Sequence, residues 1–300
     1  MREPRPAPGV TGRSLDPGVA ATDFVVQARV VAAATLDMLA ARTRVGAIIP
    51  FGAGTPPAYR FPGVGMDDAL LAAATEAGCD AAFVPDRRRL ADVRLVAMDM
   101  DSTLITIECI DEIADMQGIK SDVAAITESA MRGDIEFAES LRRRVALLAG
   151  LPVAALERVY DERLRLSDGA ARMLAGFTAI GAKTALLSGG FTFFTDRLKA
   201  QLKLDYTISN TLDIVDGKLT GRIAGPIVDA AVKAATLRRL KGELAGTEGM
   251  VVAIGDGAND LPMFAEADIS VAYCAKPVVR ARATHTIDHC GLDGVLNLFR

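Results

Sequence analysis

The residues able to do chemistry gather in short runs. Asp99-Met100-Asp101-Ser102-Thr103 places two carboxylates two residues apart, directly after the apolar run 95–98. Ser188-Gly189-Gly190 follows a second apolar run at 183–187, and Gly255-Asp256-Gly257-Ala258-Asn259-Asp260 follows a third at 250–254. Lys233 falls between the last two, in a helix-like stretch. Short apolar runs of this kind read as buried strands, and in an open α/β sheet ligands bind beyond the carboxyl ends of the strands. Four carboxylates therefore converge on one sheet edge. Left alone they would repel and raise one another's pKa; a hard divalent cation resolves the conflict, and carboxylate oxygens suit Mg²⁺. Ser188, with the glycine amides behind it, can cradle phosphate oxygens, and Lys233 can add positive charge to the same anion.

Composition narrows the chemistry further. The 300 residues include 34 basic and 38 acidic side chains, a formal net charge of −4, but only 2 histidines (His285 and His289) and no tryptophan. Ser-His-Asp catalysis and histidine-rich metal sites are thereby disfavoured. Mild acidity gives no reason to expect a nucleic-acid or anionic-membrane partner. Cys79, Cys109, Cys274 and Cys290 show no paired spacing, as in a reducing compartment. Residues 1–17, with Arg2, Glu3, Arg5 and several prolines, read as a disordered tail rather than a signal peptide. No stretch approaches the roughly 18 apolar residues of a membrane span. A cytoplasmic protein is expected.

These residues need elements to hold them. A helix over 23–41, a strand at 45–50, a Gly/Pro-rich loop over 52–65, a helix at 67–77 and a strand at 81–84 suggest a small α/β N-terminal domain (18–92) without a chemical motif. Its role is not legible. Beyond the basic linker Arg87-Arg88-Arg89, strands at 95–98, 183–187, 250–254, 269–272 and 285–287 alternate with helices. Helical segments are expected at 108–116, 128–148, 153–164, 169–179 and 229–244, and a β-hairpin over 207–223 around Asp216-Gly217. The fold class is thus α/β: a Rossmann-like, doubly wound, mainly parallel sheet over 93–300, with a helical cap inserted at about 106–181.

The four ordered motifs resemble those of the haloacid dehalogenase (HAD) superfamily phosphatases. Within it, the run from Met98 to Ile105, Glu108-Cys109-Ile110-Asp111-Glu112-Ile113-Ala114 and Ser140-Leu141-Arg142-Arg143-Arg144-Val145 resemble the phosphoserine phosphatases. The resemblance spans roughly residues 93–300. It implies hydrolysis of O-phosphoserine, the last step of serine biosynthesis, through an aspartyl-phosphate. On that basis Asp99 is the nucleophile and Asp101 the general acid and base. Mg²⁺ is held by Asp99, Asp256 and the Asp101 carbonyl. Ser188, Gly189 and Lys233 bind the phosphoryl oxygens; Asn259 contacts phosphate or substrate, and Asp260 orients Lys233 or a metal-bound water. Glu108 matches the substrate ammonium and Arg144 its carboxylate. Lys241 competes for the Lys233 role, Arg142 and Arg143 for that of Arg144, and Glu108 also suits a helix N-terminus.

Two other readings compete. A related HAD phosphatase or phosphotransferase would act on another small phosphomonoester and would not need Arg144. A phospho-acceptor signalling domain would also gather acids, Mg²⁺ and a lysine, but Asp101 and a cap of about 75 residues argue against it. A homodimer is compatible with the sequence, which also leaves serine regulation and the breadth of substrates open.

Overall fold

The structure, a computed structural model, describes residues 22–52, 56–246 and 248–300, so the tail expected at 1–17 lies outside the described residues. The N-terminal part runs β1 (Thr22–Gln27), α1 (Ala33–Thr43), β2 (Ile49–Phe51), β3 (Ala58–Phe61), α2 (Asp68–Glu76) and β4 (Asp80–Pro85). Its antiparallel sheet has the order β2-β3-β1-β4, a ferredoxin-like βαββαβ arrangement. Two expectations are corrected here. The helix over 23–41 is a strand followed by a helix, because Phe24-Val25-Val26 serves two cores by alternation. Phe24 and Val26 pack with Phe61 and Phe83 under the sheet's own helices, while Val25 joins Ala82 and Val84 in the main core. The loop over 52–65 contains β3, whose Ala58 and Phe61 are buried against β1.

The larger sheet begins with β5 (Val93–Met98). Then come α3 (Cys109–Met116), α4 (Lys120–Met131), α5 (Phe137–Ala146), α6 (Ala154–Arg158) and α7 (Ala170–Ala179). The single helix expected over 128–148 is two helices: α4 ends at Met131, and Gly133, whose φ of 82° admits the left-handed turn, leads into the next segment. An antiparallel bridge between Ile105 and Leu166 closes the base of the insert. Helix α7, inside the range read as inserted, packs on the sheet and on a C-terminal 3₁₀ turn, Leu292–Leu298.

The remaining elements are β6 (Lys183–Phe191), α8 (Thr192–Leu202), β7 (Tyr206–Val215), β8 (Lys218–Ala224), α9 (Ala230–Leu244), β9 (Met250–Gly255), α10 (Leu261–Glu266), β10 (Ile269–Tyr273), α11 (Pro277–Arg280) and β11 (His285–Ile287). Strand order is β11-β10-β9-β5-β6-β7-β8, parallel except for the β7–β8 hairpin. That hairpin turns at Asp216 and Gly217, both with positive φ, as the dipeptide predicts. Helices cover both faces, so the central strands bury apolar residues on both faces. Val96, Met98, Val252 and Ile254 face one core; Leu95, Ala97, Val251 and Ala253 face the other. The ends of β5, β6 and β9 lie side by side.

Polar clamps fasten the N-terminal sheet to this core. Asp80 accepts the amides of Asp288 (2.7 Å), His289 (3.1 Å) and Cys290 (2.8 Å). Asp23 pairs with Arg60 at 2.9 Å and also with Arg300. Gln27 donates to Gly294 O (3.1 Å) and accepts from Asn297 (2.7 Å). Among the described residues no helix is long and apolar enough to cross a membrane.

Candidate active site

Past Met98 the chain leaves β5 through a tight π-type turn. Ser102 takes a φ of 54°, unusual for a residue with a side chain, and its hydroxyl donates to Glu108 Oε1 at 2.8 Å. The turn buries Asp99 and aims Asp101 at the N-terminus of α3, where the Cys109 amide donates to Asp101 Oδ1 at 3.2 Å. Asp99 Oδ1 accepts from the Met100 amide at 2.7 Å. Its other oxygen meets Lys233 Nζ at 2.8 Å and the Asn259 amide nitrogen at 3.2 Å.

Lys233 is 1% exposed, on a helix capped by Asp229, whose side chain accepts from Val232 N at 2.9 Å. It donates to Asp260 Oδ1 at 2.6 Å, and Asp260 Oδ2 accepts from the amides of Asp256 (3.2 Å) and Gly257 (3.1 Å). Burial works against the Lys233 charge, but the Asp99 and Asp260 carboxylates outweigh it and hold the ammonium above its ordinary value. Burial and then the Asp99 charge push Asp260 up to about 7, against the pull of Lys233. The competing Lys241 instead pairs with Asp268 at 2.5 Å.

Crowded acids shift one another as expected. Asp101 is raised well above the carboxylate range by burial, then by Glu108 and Asp99. Burial also raises Glu108 and Asp256, with Asp99 adding to both. Thr103 Oγ1 donates to Asp256 at 3.2 Å. Asp99, Asp256 and Asp260 each offer an oxygen within 4.8 Å of the others. Asp260 is already satisfied by Lys233 and two amides, which leaves Asp99 and Asp256 as the mutually repelling pair. An all-oxygen, anionic donor set of this kind fits a hard divalent cation.

The phosphate-cradle candidates end β6. Ser188 is fully buried, and its Oγ accepts from the Gly190 amide at 2.8 Å. Phe137 from the cap lies over the loop: a Cβ at Gly189 would come within 3.2 Å of its ring. A Cβ at Gly190 would sit 2.6 Å from Met100 Cε and 3.0 Å from Asp101 Oδ2, so a larger residue here would displace the Met100 or Asp101 side chain. Asn210 braces the loop from behind. Its Nδ2 donates to Gly189 O (2.8 Å) and Val228 O (3.2 Å), and its Oδ1 accepts from Val228 N (2.8 Å).

Cap and sheet edge enclose a cavity of about 630 Å³. Asp99, Asp101, Glu108, Arg144, Ser188, Gly189, Asp256 and Asn259 line it, while Lys233 and Asp260 stand just behind Asp99. Arg142 and Arg143 instead turn outward toward Glu139. Burial lowers the Arg144 guanidinium and Asp111 and Glu108 support its charge; its Nε is buried without a hydrogen-bond partner among the described residues. Sequence reasoning gives no role to Asn210, Thr103, Phe137 or the cavity-lining Lys276. Thr103 lies inside a motif already singled out; for Asn210 the only signal is a polar, turn-favouring residue within a strand.

The haloacid dehalogenase-like hydrolase model matches residues 96–265, from inside β5 to α10. The chain belongs to the haloacid dehalogenase-like hydrolase family. Its family members include a phosphoserine phosphatase of a Polaromonas species, 53% identical over 217 residues, covering 71% of this chain and 92% of that one. The fold is similar to the unliganded crystal structure of a probable phosphoserine phosphatase from Vibrio cholerae, with a TM-score of 0.81 and 37% identity over 94% of this chain and 88% of that one. A substrate-bound phosphoserine phosphatase complex is similar at a TM-score of 0.64 and 35% identity, covering 69% of this chain and 99% of that one.

Proposed function

We propose that this chain hydrolyses O-phosphoserine to serine and phosphate through an aspartyl-phosphate formed on Asp99. The observation that carries the reading is one cavity with two differently equipped walls. The sheet edge offers a buried carboxylate beside a lysine and a serine-glycine loop. The cap side offers Glu108 and Arg144, the opposite charges that an amino acid's two ends require. Relatives named phosphoserine phosphatase, one of them substrate-bound, support it.

The chain's own groups divide the work. An Asp99 oxygen attacks phosphorus as the seryl oxygen departs, so one hard displacement becomes two easier ones. Asp101, whose raised pKa keeps a proton available, delivers it to the departing oxygen and later takes one from the attacking water. Ser188, the Gly189 amide and Lys233 bind the transferring phosphoryl oxygens, where charge spreads in the transition state. Asp260 fixes Lys233 at 2.6 Å, and Asn259, which donates to Asp99, keeps the nucleophile oriented beside the substrate. Asp99, Asp256 and the Asp101 carbonyl would hold Mg²⁺, which when bound screens the repulsion between carboxylate and phosphate dianion. Glu108 takes the substrate ammonium and Arg144 its carboxylate, and the cap shields the first step from water.

Phosphate release from a panel of small phosphomonoesters, with and without Mg²⁺, tests this reading. O-phosphoserine should lead the panel, metal removal should abolish turnover, and Asp99→Asn should be inert. Turnover surviving in Asp99→Asn would refute the nucleophile.

A further inference from the structure

Ser140 lies one helical turn before Arg144 on α5, so the two side chains share a helix face, and both line the cavity. Ser140 is 1% exposed, yet its Oγ has no hydrogen-bond partner among the described residues; the buried Arg144 Nε beside it lacks one as well. A buried polar atom left unpaired is costly, and such atoms call for an explanation. The fold supplies none for this one, since alanine is the better helix former at the same position. Two orphans on one face of one cavity point to a ligand that completes both.

Chemistry selects the ligand group. Arg144 Nε can only donate, whereas the serine hydroxyl can donate or accept. A single group that satisfies both is an acceptor with two oxygens, and beside a guanidinium that means a carboxylate. The phosphate end is already served by Ser188 and Lys233 on the sheet edge, and the ammonium end by Glu108. We propose that Ser140 donates its hydroxyl hydrogen to the substrate carboxylate held by Arg144, which makes it a specificity-determining residue of the cap. This rests on the phosphoserine reading above.

The test uses the full chain with two substrates: O-phosphoserine, and phosphoethanolamine, which keeps the phosphate and ammonium ends but lacks the carboxylate. In Ser140→Ala the ratio of kcat/KM for phosphoserine to that for phosphoethanolamine should fall about ten-fold, mainly through KM. Ser140→Thr, which keeps a donor, should recover part of the ratio. Without substrate, Ser140→Ala should melt at the same temperature as the parent or higher, because it removes an unpaired buried hydroxyl. An unchanged ratio, or equal losses on both substrates, overturns the proposal. Arg144→Ala measured alongside separates two kinds of failure. If it discriminates between the substrates and Ser140→Ala does not, this inference alone falls; if the parent itself ignores phosphoserine, the functional reading falls with it.

Discussion

Asp101 shows how the environment of one side chain decides its job. Asp99 stands beside a lysine at 2.8 Å; Asp101, two residues on, sits half-buried among acids, where desolvation and then the Glu108 and Asp99 charges raise its carboxyl well above the usual range. Asp101→Asn should therefore cost about 10²- to 10⁴-fold in kcat on O-phosphoserine, whose alkoxide leaving group needs a proton. On an aryl phosphate, whose leaving group departs unprotonated, the loss should be far smaller; steady-state kinetics on both esters checks the split. The legibility of such residues followed their spacing. Asp99 and Asp101 stand together in one run, so their chemistry could be read directly. Arg142, Arg143 and Arg144 are equivalent as letters, and only the face of α5 separates the one turned into the cavity from the two that meet Glu139. Asn210 could not be found at all, because its partners Gly189 and Val228 come together only through the register of β6 and β7.

Elements were legible where their pattern had one cause. The apolar runs that became β5, β6 and β9 are buried on both faces and uninterrupted, so their ends, and with them the site, could be placed. Strand β1 failed because its three large residues run into an alanine-rich segment, which masks the switch from strand to helix. The β7–β8 hairpin matters to function through a contact its turn signal does not disclose. Gly221, at a φ of 79°, packs on the end of α5, where an added Cβ would lie 2.9 Å from Ala149 Cβ and 3.1 Å from Ala146 O. Gly221→Val should destabilise the protein by about 1–3 kcal/mol, through the unfavourable φ and the overpacking. Because α5 carries Arg144, the KM for phosphoserine should rise more than that for an aryl phosphate. Thermal melts and KM values on the two esters test both halves.

At the scale of the molecule, the junction between the two sheets should respond to acid. Arg88 Nη1 lies 2.5 Å from His285 Nε2, which must accept and so stays neutral. Burial first, then the Arg88 charge, hold His285 down to about 3 from an ordinary 6.5. Between those values the unfolded chain binds the proton and the folded chain does not, so this contribution is complete above about 6.5 and is lost as pH falls toward 3. The melting temperature should drop across that window, and less steeply in His285→Gln; identical slopes would show that other groups govern acid unfolding. The same junction bears on how the molecule is made. Gln27 meets Asn297 across 270 positions of sequence, in a contact that buries both amides. On the ribosome β1 emerges well before the partner for its buried glutamine, which is synthesised 270 residues later. The smaller sheet is therefore made before the larger one but sealed only after it, and a nascent chain released before Asn297 would expose an unsatisfied strand face where the two sheets meet.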